Sequence, residues 1–326
     1  MKFVTAKLAL AVVLLTSAST AAAESADGAG DWLERMSAAM SQMSYQGTFV
    51  YVQGDEVETM RITHVADESG VRERLVSVSG SQREILRDSS GIRIVQDDEH
   101  SVLEAPAFSR SFFPEITMQL SDDPGAAYQF QLGGLERIAG HSGRQVKIIP
   151  RDNFRYGYSL WLDEQSALLL KWELTDSRQN RLARLMFTDL RIGSEVDTSE
   201  LRSTRSFRDY KKLASRLPPG ENLSHSNPSW LANRLPVGFR LTSHRYLGQN
   251  EQELYEHLVY SDGLAAVSVY VENSHEDPPN QKFSVSKMGT THAYARVTDG
   301  VLITVVGDVP AITVQAIGEA VRPKVR

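Results

Sequence analysis

Eight histidines are the side chains most able to carry acid–base or metal chemistry in this sequence, and they are scattered singly: His64, His100, His141, His225, His244, His257, His275 and His292. A zinc protease places two imidazoles four residues apart on one helix face, with a glutamate beside the first. No pair here has that spacing, and His275-Glu276-Asp277 runs into Pro278-Pro279, where a helix would have to continue. They therefore read as surface or turn histidines. Gly140-His141-Ser142-Gly143 lacks the residue that separates serine from glycine in a nucleophile elbow, and it reads as a turn between strands. Gly28-Ala29-Gly30-Asp31-Trp32-Leu33 has neither the third glycine nor the preceding strand that would bring a pyrophosphate against a helix N-terminus. Asp97-Asp98-Glu99 and Asp122-Asp123 lie in polar stretches and read as solvated loop charges, which leaves no glycosidase pair. With no cysteine, the chain has no disulfide framework, thiolate metal site or lipid-anchor residue. The expectation is a non-enzymatic binding protein with no catalytic residue, metal or cofactor.

The first residues set the compartment. Met1-Lys2 and Lys7 precede an apolar run from Leu8 to Leu15, and small residues follow to Ala21-Ala22-Ala23-Glu24. This is the pattern of a cleavable secretory signal peptide over residues 1–23, cut after Ala23. No later apolar stretch is long enough to cross a bilayer, so the exported chain is predicted to be soluble outside the cytoplasm. The whole sequence has a net charge of −6, and losing Lys2 and Lys7 makes it more acidic still. Such a surface is poorly suited to neutralising phosphates, so no nucleic-acid partner is expected.

Beyond the leader, Asp31 is placed to cap a helix whose apolar positions are Trp32, Leu33, Met36, Ala39, Met40 and Met43. From Tyr45 the period changes to two. Strands are predicted over 47–52, 59–65, 71–78, 83–86 and 92–95, separated by turn-rich breaks, and a second series over 128–132, 144–149, 156–162, 168–174 and 182–190. About ten antiparallel strands on one strongly curved sheet would wrap most of the way round a barrel. Residues 209–228 break the pattern with Lys211-Lys212, Pro218-Pro219-Gly220 and Asn227-Pro228, the composition of a linker. A smaller unit follows over 229–326, with strands near 239–246, 254–260, 265–272, 292–297 and 301–306. Its turns include Ser261-Asp262-Gly263 and Thr298-Asp299-Gly300, and a helix from Pro310 carries Ile312, Val314, Ile317 and Val321. The fold class is α+β and mainly β: a large unclosed antiparallel barrel over 24–208 with covering helices, then a small antiparallel sheet with one helix.

An unclosed curved sheet exposes an apolar concave face that side chains, helices or an apolar ligand must fill. Phe108, Phe112, Phe113, Met118 and Leu120, with Tyr156, Tyr158 and Trp161, are the candidate lipid-lining residues; ordinary core packing is the equal alternative for any one of them.

Several segments carry a resemblance. They include Asp31-Trp32-Leu33, the run 45–51 (Tyr-Gln-Gly-Thr-Phe-Val-Tyr), Arg72-Glu73-Arg74-Leu75, and the run 151–158 (Arg-Asp-Asn-Phe-Arg-Tyr-Gly-Tyr). They continue with Trp161-Leu162-Asp163, Leu235-Pro236-Val237-Gly238-Phe239, the run 260–265 (Tyr-Ser-Asp-Gly-Leu-Ala) and Gly307-Asp308-Val309-Pro310. In this order, across both predicted units, the chain resembles the periplasmic sigma-factor regulators of the RseB/MucB family. The resemblance implies an N-terminal domain folded like lipoprotein carriers and a role as negative regulator of an envelope-stress sigma factor. The partner it implies is the periplasmic region of a single-span anti-sigma factor of the RseA/MucA kind, shielded from the site-one protease and released by a lipid such as lipopolysaccharide. The family has no catalytic motif to carry over. A lipid or lipoprotein carrier is the alternative, to which the second unit is an objection, and a homo-oligomer is compatible with the sequence.

Overall fold

The computed structural model describes residues 20–105, 124–193, 196–203, 207, 209–213, 227–247, 255–273, 284–298 and 300–324, without the side chains of 20–27, 105 and 124. Helix α1 (Thr20–Gln42) leads into β1 (Tyr45–Gln53), β2 (Glu56–Asp67), β3 (Gly70–Ser77), β4 (Arg83–Asp88), β5 (Gly91–Gln96) and β6 (Ser101–Ala105). A single turn, α2 (Pro124–Ala127), precedes β7 (Tyr128–Ile138), β8 (His141–Pro150), β9 (Gly157–Asp163), β10 (Leu169–Thr175) and β11 (Arg181–Ile192), and β12 (Lys211–Leu213) completes the unit. These strands form one 12-stranded sheet in the order β12-β6-β5-β4-β3-β2-β1-β11-β10-β9-β8-β7. The two meanders join where β1 pairs with β11, and the ends β12 and β7 stay apart, so the barrel is open.

Alternation explains which face is buried. Val146, Leu160, Trp172, Leu185 and Tyr51 stand opposite one another across five strands, and Phe49 faces Met60 while Ile62 faces Leu75. All but Tyr51 are buried, and each such side chain stabilises the fold by about 1.5–3 kcal/mol. Helix α1 lies over this face with Ala29, Leu33, Met36 and Ala39 buried. It starts before Asp31, so that residue is an exposed position inside the helix and not its cap. The helix passes close to the sheet at this end, where a Cβ on Gly28 would lie 3.2 Å from Leu132 of β7.

The second unit comprises β13 (Trp230–Ala232), β14 (Arg240–Leu247), β15 (Tyr255–Ser261), β16 (Ala266–Asn273), β17 (Ser284–Met288), β18 (Thr291–Thr298), β19 (Val301–Gly307), α3 (Ala311–Ala320) and β20 (Val321–Pro323). Six strands form a sheet in the order β14-β15-β16-β19-β18-β17, and β13 pairs with β20. Helix α3 buries Val314 and Ile317 on that sheet; its Gly318 sits where a Cβ would meet the Tyr294 ring at 2.4 Å. Strands β6, β12, β17 and the β13–β20 pair are additions to the elements expected from sequence. Of the stretch read as a linker, Lys211–Leu213 is β12, laid parallel to β6, and 214–226 fall outside the described residues.

Candidate functional site: the seam between the two units

The loop between β8 and β9 holds a self-contained turn. Asp152 Oδ1 accepts from the Phe154 amide at 2.9 Å and from Arg155 Nε at 3.0 Å, and Asp152 Oδ2 accepts from Arg155 Nη2 at 2.9 Å. That fixes a guanidinium on the first unit and aims its free edge at the second. The β15–β16 turn answers with the same device. Asp262 Oδ1 accepts from the amides of Leu264 and Ala265 at 2.9 and 2.7 Å, which leaves Oδ2 free to face outward.

The two devices meet. Arg155 Nη1 donates to Asp262 Oδ2 at 2.6 Å and Nη2 donates to the Val237 carbonyl at 2.6 Å; the hydroxyl of Tyr128, at the start of β7, donates to the same Asp262 oxygen at 2.9 Å. Arg155 and Asp262 are both 0% exposed. Their charges are enclosed by Tyr128 and Phe239, each ring centroid 5.2 Å from the guanidinium carbon. Gly238, at φ +82°, lets the Pro236–Phe239 turn present the Val237 carbonyl; the left-handed backbone there suits glycine. Burial alone would lower the Arg155 pKa, but the bond to Asp152 and the charges of Tyr128 and Asp262 raise it above its ordinary value. Burial first, then Asp262, hold the Tyr128 hydroxyl well above its usual range.

Further contacts extend the seam. Thr313 of α3 donates to the Phe154 carbonyl at 2.6 Å, Tyr156 donates to the Thr290 carbonyl at 3.1 Å, and Gln53 of β1 donates to the Thr290 hydroxyl at 3.1 Å. Burial, then the charges of Asp308 and Asp176, push the Tyr156 phenol up to about 12. Thus segments 151–158, 235–239, 260–265 and 307–310, separate in sequence, converge on one polar junction.

Two of the proposed lining residues, Tyr158 and Trp161, border one cavity. Tyr156 belongs to the seam. Tyr158 stands opposite Leu174 in the sheet, and Trp161 stands opposite Lys171, whose Nζ is 3.8 Å from the ring centroid. The cavity they border, of about 300 Å³, is also lined by polar groups including Lys147, Ser159, Glu173 and Gln179. Phe108, Phe112, Phe113, Met118 and Leu120 lie outside the described residues. Sequence reasoning assigned no role to Arg155, Asp262 or Tyr128; Asp262 was legible only as a turn residue. Among the described residues, no helix is long and apolar enough to cross a membrane, and no group of three His, Cys, Asp or Glu side chains is placed to hold a metal.

The model of the MucB/RseB N-terminal domain matches residues 28–205, and that of the MucB/RseB C-terminal domain matches 224–322. The chain belongs to the MucB/RseB family. Sigma factor AlgU regulatory protein MucB of Pseudomonas aeruginosa is 30% identical over 321 residues, 96% of each chain. The complex of Pseudomonas aeruginosa MucA and MucB has a chain 28% identical to this one, matching 92% of it and 100% of that chain at a TM-score of 0.70. A crystal structure of MucB matches 91% of this chain and 98% of its own at a TM-score of 0.61. The family is one of regulatory proteins and not a class of enzymes. The two family domains are the two units described here, and the seam is where they touch.

Proposed function

We propose that this chain is an exported periplasmic regulator that binds the periplasmic segment of a single-span anti-sigma factor, shields it from the site-one protease, and lets go when an envelope lipid binds. The observation that carries this reading is the match, over 92% of the chain, to MucB solved with MucA. A partner segment without structure of its own loses conformational entropy on docking, so its complex stays open to competition. If lipid favours an arrangement that holds the segment poorly, partner and lipid must oppose each other reciprocally.

The test is protection. The chain, mixed with the periplasmic segment of an anti-sigma factor of the MucA kind, is expected to co-elute with it and to slow its cleavage by the site-one protease; added lipopolysaccharide is expected to restore cleavage. Cleavage at the same rate with and without the chain overturns the reading, and lipid uptake without protection would favour a carrier. Export requires that the periplasmic form begin at Glu24, which N-terminal sequencing reads directly.

A further inference from the structure

We propose that the Arg155–Asp262 junction is a two-state latch between the units, whose opening is the conformational step that the regulation requires; this rests on the functional reading above for its purpose, though not for its existence. The bonds divide cleanly. Arg155 Nε and one Nη2 contact stay within the first unit on Asp152, and Asp262 Oδ1 stays within its own turn on Leu264 and Ala265. The remaining side-chain hydrogen bonds of the pair cross the seam: Nη1 to Asp262 Oδ2, Nη2 to the Val237 carbonyl, and Tyr128 to Asp262 Oδ2. Each half is therefore held in shape by its own loop when the units part, and only the crossing bonds are lost.

A seam held by hydrogen bonds of this kind favours switching over permanent fusion. Its other crossing contacts include the hydrogen bonds of Thr313 to Phe154, Tyr156 to Thr290 and Gln53 to Thr290, the Phe239 ring beside Arg155, and Leu264 against the first unit's core. Interfaces between domains that are more polar than a core permit relative motion. Desolvating two opposite charges offsets much of their attraction, so the pair adds little net adhesion when matched. Mismatching is what costs: a buried charge with its partner removed favours separation strongly, and intermediate geometries leave Arg155 or Asp262 dry and unpaired. The seam is thus closed in one register or open.

The chain has no cysteine, so a donor and acceptor dye can be attached at Glu68→Cys and Lys287→Cys, exposed positions on the first and second units. In the full exported chain, Asp262→Asn keeps an oxygen for the Leu264 and Ala265 amides but removes the charge facing Arg155. It is expected to shift the docked-to-open ratio by about 100-fold or more toward open, seen as a fall in energy transfer with native circular dichroism. Arg155→Gln should reproduce the fall, and Glu173→Gln, away from the seam, should leave transfer unchanged. In the unsubstituted chain, urea should separate the units in one cooperative step before tryptophan fluorescence reports loss of either core. Wild-type transfer in both folded seam variants, or a gradual drift with urea, overturns the latch. Titration with the purified MucA periplasmic segment separates the two ideas. Weaker binding by the open variants supports latch and regulation together, whereas open variants that bind as tightly as the parent retain the latch and overturn its regulatory purpose.

Discussion

Two ionic networks in the molecule use the same chemistry to different ends. At the seam, Arg155 and Asp262 are wholly enclosed and come from different units. On the first sheet, Lys171 bridges Glu136 at 3.1 Å and Glu173 at 3.6 Å, and Glu173 also pairs with Arg184 at 2.6 Å. Here Glu136 is 46% exposed and Arg181, also on Glu173, 50% exposed, so water can replace any one partner. Removing a member of the first network strands a dry charge; removing a member of the second rearranges a wet one. Burial, more than the number of contacts, decides which network sets a conformation.

The largest expected break of that contrast is Arg155→Met. It leaves Asp262 with only Tyr128 and its own turn amides, a loss of about 3–5 kcal/mol in coupling between the units. Calorimetry should resolve one melting transition into two, and a single transition at the parent temperature would contradict the buried side of the comparison. Acid gives a second and smaller test, because it acts inside one unit. His257, on β15, is stacked on Tyr270 with ring centroids 4.6 Å apart, and its pKa is lowered to about 4 by burial, then by Arg245 and His244. The unfolded chain takes up this proton near pH 6.5 and the folded chain does not until about 4, so stability falls as pH drops through that window and levels below it. The loss approaches about 3 kcal/mol, and His257→Gln should flatten it relative to the parent. In the Arg155→Met background the acid effect should be confined to the C-terminal transition; if both transitions still move together, the seam is not what couples them.

How far the sequence reveals this depends on the length scale of each signal. Phe49, Met60, Ile62 and Leu75 obey period two, and the central strands were legible from them. The edge strand β17 buries nothing and β12 is three residues held by pairing with Ser101–Leu103, so neither leaves a hydrophobic period to read. In β9, Tyr158, Leu160, Trp161 and Leu162 are all apolar, so the strand was recognisable while the side on which Trp161 lies was not. Asp262 was read as a turn residue, and Oδ1 does that work. The partner of Oδ2 is 107 residues away in another unit, a distance over which no periodicity carries information.

The smaller predictions refine the contrast from within. Tyr128→Phe removes one hydrogen bond from Asp262 Oδ2 while Arg155 Nη1 remains on that oxygen, so the carboxylate stays paired. The expected cost is about 1–2 kcal/mol, visible as a lower melting temperature without division into two transitions.

Lys171→Met should matter least. The substitution keeps an unbranched stem over the Trp161 ring, preserving the packing that the lysine supplies. Glu136 is half solvated and regains water, and Glu173 keeps Arg184, so no carboxylate is left dry and alone. The change should stay within about 1 kcal/mol, measured by urea denaturation, and should shrink further in high salt. A loss as large as that of Arg155→Met would mean that Lys171, only 7% exposed above the indole, behaves as a buried charge despite its solvated partners, and that exposure of the partners is the wrong quantity on which to separate the two networks.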